Sequence, residues 1–174
     1  MITPEEAKSK AEENFHNGCN CAQAVLCTFA KELGLDESAA MKISQPLGGG
    51  MCRMREVCGT VSGMLMALGL AEGTSDTSDK DAKDSVYKQG QALAGEFKKA
   101  NGSIICRELL GLVPLGTSDA MLEKSKSSSS GTDISKMTSP VSEARTDAYY
   151  KKRPCQNLCG DAAEILAKYL AQKK

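Results

Sequence analysis

The sequence predicts an all-α fold, a single compact bundle of about six to eight helices with a serine-rich insertion before the last two. Three observations predict it. Apolar residues recur at helical spacing along most of the chain, cap-forming residues and glycines punctuate those runs, and no strand-like alternation survives. The 174 residues suit one domain, residues 1–174, and can bury a sizeable core.

Each element has its own signal. Thr3-Pro4-Glu5-Glu6 reads as an N-cap, a proline at the first helical position and acids facing the helix dipole, so a helix should run to about Asn17 and stop at Gly18. Asn20 caps a second helix, with Ala22, Val25, Leu26, Phe29 and Leu33 on one face before Gly34. Asp36 caps a third, short helix through Ala39, Ala40 and Ile43, which Pro46 ends. Gly48-Gly49-Gly50 follows as a loop that permits positive φ or a close backbone approach.

From about Cys58 to Leu70 the chain is apolar nearly all round, the mark of a buried central helix, and Gly59, Ser62, Gly63 and Gly69 are small enough for close packing. An amphipathic helix from about Asp79 to Ala100 carries Val86, Leu93, Ala94 and Phe97, and Asn101-Gly102 ends it. Ile105 to Leu110 is a short helical turn. Residues 114–140, including Ser127 to Ser130, read as the insertion, with a helical turn near Ala120. Helices near Ser142 to Lys151 and from Cys155 to about Ala171 close the chain, separated by Arg153-Pro154.

Composition excludes several functions. With 22 basic and 22 acidic residues, no overall positive field draws nucleic acid or anionic lipid. Aromatics at 4% and no Trp leave no base-stacking platform. The longest apolar stretch, Val61 to Ala71, is too short to enter and cross a bilayer. The first residues lack the basic start and apolar core of a signal peptide, so a cytosolic chain is expected. Against that background eight cysteines point to metal or redox chemistry rather than a disulfide scaffold.

Four cysteines share a feature. Cys21, Cys58, Cys106 and Cys155 are each predicted in a first helical turn, where unpaired N–H groups favour thiolate over thiol. Thiolate both attacks disulfides and binds metal, and four from separate helix starts could form one cluster site. A single cysteine is more often a small core residue, and Cys27, beside Leu26 and Phe29, fits that best. Cys52, in the glycine loop, could be an extra ligand or a resolving thiol. Cys159, one turn beyond Cys155 on the same face, could join the site. Cys19 is expected exposed at a turn and incidental.

The blocks Phe15 to Leu26 (FHNGCNCAQAVL), Gly48 to Gly63 (GGGMCRMREVCGTVSG), Cys106 to Gly111 (CRELLG) and Arg153-Pro154-Cys155 resemble the redox-active protein family named for its C-GCAxxG-C-C cysteine pattern. The resemblance puts the family cysteines on Cys21, Cys58, Cys106 and Cys155. It also implies iron, because a related domain occurs in split-Soret cytochromes, where it is thought to hold an iron centre. The central motif reads Cys58-Gly59-Thr60-Val61-Ser62-Gly63, with Cys before Gly where the family name writes the reverse, and Thr60 stands where the pattern has Ala. Cys19, Cys27, Cys52 and Cys159 exceed the family tetrad.

Other constellations are weaker. His16, the one histidine, is expected as a solvent-facing helix-end residue, which leaves no His-based zinc enzyme site. Arg53, Arg55, Glu56, Arg107, Glu108 and Arg153 flank the cysteines, either offsetting thiolate charge or forming ordinary ion pairs. The glycine run lacks a following Lys-Ser/Thr and a preceding strand, so it is no phosphate loop. Met51, Met54, Met64 and Met66 are expected mainly as core packing.

Three functions remain, for an oxidoreductase or an electron carrier. First is an iron–sulfur cluster, most simply [2Fe-2S], on Cys21, Cys58, Cys106 and Cys155, exchanging single electrons with a redox partner protein; the spread of these ligands over separate helices and the implied iron favour it. Second is metal-free thiol–disulfide exchange, with Cys58 attacking and Cys52 or Cys155 resolving. Third is a zinc site of four thiolates.

Overall fold

The computed structural model describes residues 2–118, 121 and 138–173. Among the described residues run eight α-helices and one 3₁₀ turn, with a single isolated antiparallel bridge and no strand. The all-α reading therefore holds. The helical turn expected near Ala120 and the serines at 127–130 lie outside the described residues.

Caps set most helix starts. In α1 (Pro4–His16) the Thr3 hydroxyl accepts from the Glu6 N–H while the Glu6 carboxylate accepts from the Thr3 N–H, a reciprocal box. In α2 (Cys21–Phe29) Asn20 accepts from the N–H groups of Ala22 and Gln23, and Gln23 reciprocates. That helix stops short of Leu33. Its last turn is irregular and closes when Leu35 N–H donates to Ala30 C=O at 2.8 Å around Gly34 at φ +75°. Asp36 caps α3 (Glu37–Ser44), and Pro46 lies in the 3₁₀ turn Gln45–Leu47.

The central helix is α4 (Gly59–Glu72), one residue later than expected because Cys58 is its N-cap, with extended-type backbone at φ −59°, ψ 133°. Its approach to α2 is close. A Cβ on Gly63 would stand 2.6 Å from the Ala22 carbonyl oxygen, and one on Gly59 would stand 3.0 Å from the Cys21 Cβ. Gly69 has nothing within 4 Å, so its small size serves no helix contact. Asp79 caps α5 (Lys80–Asn101), and Gly102 ends it in left-handed conformation.

Two short elements precede the last helix: α6 (Cys106–Leu109) and α7 (Asp147–Lys152). α7 begins later than Ser142, because Thr146 takes the cap by accepting from Tyr149 N–H and Arg145 is drawn to the carbonyls of Phe15 and Cys19. α8 (Cys155–Ala171) runs alongside α1, its Ala162, Ala163, Leu166 and Leu170 buried, while Ala7, Ala11 and Phe15 supply the buried face of α1. All three phenylalanines, Phe15, Phe29 and Phe97, are fully buried with Leu26, Met64 and Leu68. No helix is long and apolar enough to cross a membrane among the described residues.

Candidate functional site

A short backbone pairing brings two of the cysteines to one place. Val57 and Ile105 form the antiparallel bridge, and around it Cys58 N–H donates to Ile104 C=O at 2.8 Å. Cys106 N–H donates to Glu56 C=O at 2.6 Å, and Arg107 N–H to Arg55 C=O at 3.1 Å. Residues forty-odd positions apart thus leave the bridge together, Cys58 into α4 and Cys106 into α6. Cys21 reaches the same region because glycine at position 59 lets α2 lie against the start of α4.

The cysteine at the start of α8 meets them. The Cys21 thiol is in hydrogen-bond contact with the thiols of Cys155 and Cys159, and Cys58, Cys106 and Cys155 lie near enough that ionising one disfavours ionising another. Cys159 also directs its thiol at the Cys21 carbonyl oxygen, 3.8 Å away. Cys58, Cys106, Cys155 and Cys159 are buried and Cys21 is partly buried. All eight cysteines are free thiols.

The ionisation of these thiols runs opposite to the expectation drawn from helix starts. Burial, with Cys106 nearby, pushes Cys58 up to about 12, although the Thr60 hydroxyl 3.1 Å away opposes it. Cys155 is raised by its hydrogen bond to Cys21 and by burial, and Cys159 chiefly by burial. For Cys21 the Cys155 contact pulls downward, but the Cys159 contact and burial together raise it well above the ordinary thiol range. Cys106 is raised by burial against the pull of Arg55, whose guanidinium hydrogen-bonds its thiol. The physical reason is burial. Some helix-start amides are taken, those of Ala22 and Gln23 by Asn20 and those of Cys58, Cys106 and Arg107 by backbone carbonyls. The Thr60 N–H still donates to the Cys58 sulfur, yet desolvation outweighs it.

Beside the thiols opens a cavity of about 440 Å³. Cys21, Cys106 and Cys155 line it together with Cys52, whereas Cys58 and Cys159 are not among its lining residues. The glycine loop forms one wall in an unusual conformation. Gly49, Gly50, Met51, Cys52 and Arg53 all have positive φ, from 47° to 73°, and Arg55 follows at 67°. Left-handed backbone costs a non-glycine residue roughly 1–2 kcal/mol, so this run stores strain. One local and one long-range bond hold it: Cys52 N–H to Pro46 C=O at 2.6 Å, and Arg53 Nε to Ser139 C=O at 2.7 Å. The outcome is that Cys52, Arg53 and Arg55 all line the cavity.

Other residues singled out from the sequence lie elsewhere. Cys19 is half-buried rather than exposed, its thiol 3.8 Å from Met41 Sδ. Cys27 is half-buried and packed against the core; burial and then Cys19 push its thiol up to about 11. His16 is exposed at the end of α1, against the Tyr150 ring. Met64 and Met66 pack in or against the core, but Met51 and Met54 are exposed on the glycine loop. Arg107 pairs with Glu56 at 2.6 Å, and Glu108 accepts from Ser103, so these act as structural partners. Sequence reasoning missed Glu143, Arg145 and Tyr149, all of which line the cavity. The one available signal was Tyr149-Tyr150 next to Arg145 in a chain so poor in aromatics.

This arrangement, thiols from separate helices gathered under a cavity, agrees with what comparison finds. Residues 19–169 match the family described as "Putative redox-active protein (C_GCAxxG_C_C)". The chain belongs to that family. The matched span contains all eight cysteines, the glycine loop and the four arginines that line the cavity, Arg53, Arg55, Arg145 and Arg153. No curated protein and no solved structure matches the chain. As a C-GCAxxG-C-C member it is a redox-active protein.

Donor chemistry and donor geometry differ in how they fit a metal centre. Soft sulfur donors gathered in one region, Cys21 in contact with Cys155 and Cys159 and Arg55 donating to Cys106, are the chemistry that an iron–sulfur centre takes. Among the described residues, though, no group of three or more Cys, His, Asp or Glu side chains stands ready to hold a metal ion. The thiols instead hydrogen-bond one another.

Proposed function

We propose that the protein is an electron carrier whose centre is an iron–sulfur cluster, most simply [2Fe-2S], with Cys21, Cys58, Cys106 and Cys155 as ligands and Cys159 as a fifth donor within reach. One observation carries this reading: cysteines from the starts of four different helices interact as one group. When bound, such a cluster supplies a reversible one-electron couple. The chain's own residues do the rest. The 55–58 and 104–107 pairing fixes two ligands, Arg55 donates to the Cys106 sulfur, and Thr60 contacts the Cys58 sulfur. Burial of Cys58 and Cys159 keeps water off the inner side. Because every one of these thiols is held protonated, loading must release protons, and it should strengthen as pH rises. The protein purified without oxygen should be brown, with iron and acid-labile sulfide in near-equal amounts. A colourless preparation without iron, or one bearing zinc alone, overturns the reading.

A second reading is favoured by the direct contact between the Cys21 and Cys155 thiols. These two would close to a disulfide by exchange with the disulfide of a partner, which leaves as a dithiol carrying the two electrons and two protons, and would reopen by the reverse exchange with a dithiol, a two-electron couple without metal. Cys58 fits the attacking role less well, since it is buried at 4% exposure and its thiol is strongly raised. Cys52, expected as an extra ligand or a resolving thiol, is exposed on the cavity wall, where outside reagents can reach it. Mass mapping of mildly oxidised, metal-free protein should find the Cys21–Cys155 link; finding only links to Cys52 would remove it.

A further inference from the structure

The cavity above the thiols has a charge that the molecule as a whole lacks. The chain is neutral, with 22 basic and 22 acidic residues, yet Arg53, Arg55, Arg145 and Arg153 all line this one space, and Glu143 is the acid among them. Glu143 comes from the extended segment before α7 and bridges two of the arginines: its Oε1 lies 3.5 Å from Arg53 and is ion-paired with Arg153. Those arginine side chains are only 21% and 16% exposed, while Glu143 is 48% exposed. The bridging carboxylate is therefore the part of this trio that water, or a competing anion, can reach.

The arginines are also pre-positioned. Arg145 donates to the carbonyls of Phe15 and Cys19 at 3.3 and 3.0 Å, and its guanidinium stacks 4.5 Å from the Phe15 ring centre and 4.9 Å from that of Tyr149. Arg153 also packs on the Tyr149 ring, 4.9 Å from its centre. A bare inorganic ion needs no such aromatic and apolar walling. A flat or short organic body with anionic ends uses both the guanidinium forks and the rings.

We propose that this cavity binds a small organic molecule bearing two carboxylates or like anionic groups, and that Glu143 occupies one anion position between Arg53 and Arg153 when the ligand is absent. The inference rests on the redox reading only for its purpose, namely why such a molecule should come to these thiols. Binding itself needs no electron transfer and no metal.

The test uses the full chain as purified, with iron and sulfide measured on the same sample. Isophthalate and succinate are the probes, the uncharged isophthalamide is the control, and the readout is the rate at which neutral iodoacetamide alkylates Cys52. Either dianion should slow that alkylation in a saturable manner that salt weakens, and the diamide should not. Arg153→Gln, or Arg53→Gln if the first variant fails to fold, should weaken protection about tenfold, the usual scale for one lost charge-assisted contact. Glu143→Gln should tighten it. No protection by either dianion, equal protection by the diamide, or weaker protection in Glu143→Gln overturns the proposal. Protection in iron-free protein would leave the cavity reading standing while the cluster reading falls, and brown protein without protection would do the reverse.

Discussion

Two groups of cysteines lie at the same helix, α2, and differ in how they are assembled. On one side Cys21 contacts Cys155 and Cys159 at a place where the starts of α4, α6 and α8 meet. On the other, the half-buried Cys19 influences the half-buried Cys27 and contacts Met41, and Lys10, Glu37 and Arg145 are the charges that act on the pair. Burial raises the thiols of both groups. What separates them is assembly. The first group is drawn together by a backbone bridge, by a close helix crossing and by an arginine-lined cavity, and the second has only its position in the packing. Cysteine content does not locate the function; convergence does.

The largest break in that comparison is single-residue removal. Cys155→Ala deletes the contact with Cys21 that the first group shares, and the protein should lose its redox couple altogether, whether read as iron content or as reversible thiol oxidation by titration. Cys19→Ala and Cys27→Ala should retain the couple within error. If Cys27→Ala abolished it and Cys155→Ala did not, the two groups would have to exchange roles.

Much of this division can be read from the sequence because it is local. Thr3, Asn20, Asp36 and Asp79 announce helix starts by their side-chain chemistry, and each does cap. The same punctuation picks out Cys21, Cys58, Cys106 and Cys155 as helix-start residues; three begin their helices and Cys58 caps one. The rest depends on distant partners. The bridge that brings Cys58 and Cys106 together joins segments forty-odd residues apart, so their burial, which sets the direction of the thiol shifts, was not legible. Arg145 leaves the expected helix for carbonyls in α1 and its following turn, which moved the start of α7 and hid a wall of the cavity. The glycines at 48–50 announced an unusual backbone, but not that Met51, Cys52 and Arg53 would continue it.

That loop sharpens the comparison by a second route, because it touches only the first group. A Cβ on Gly50 would stand 2.7 Å from the Cys106 Cβ and 2.8 Å from the Glu56 N, and the residue has φ +73°. Neither neighbour is the tip of a flexible chain. Gly50→Ala should therefore cost about 2 kcal/mol in denaturant unfolding and also disturb the redox centre. Gly34→Ala is the matched control. It too has positive φ, at +75°, but nothing lies within 4 Å of its Cβ, so it should lose stability by backbone strain alone and keep the couple. Equal effects of the two on the couple would show that the loop does not act through Cys106.

The smallest effect concerns the second group and its protons. Burial, then Cys19, raises the Cys27 thiol from 9.0 to about 11, so the folded protein keeps this proton over a range in which the unfolded chain gives it up. The unfolded state then binds fewer protons, and stability must fall with rising pH. The contribution is fully present below about pH 9 and is lost as pH climbs to about 11. Cys27→Ala, which removes the group from both states, should flatten that part of the stability curve slightly. Cys27 should also react with iodoacetamide at pH 9 more slowly than the exposed Cys52, since both burial and protonation protect it. An unchanged slope in Cys27→Ala, or faster alkylation of Cys27 than of Cys52, would mean that this thiol is neither shielded nor held protonated by its packing.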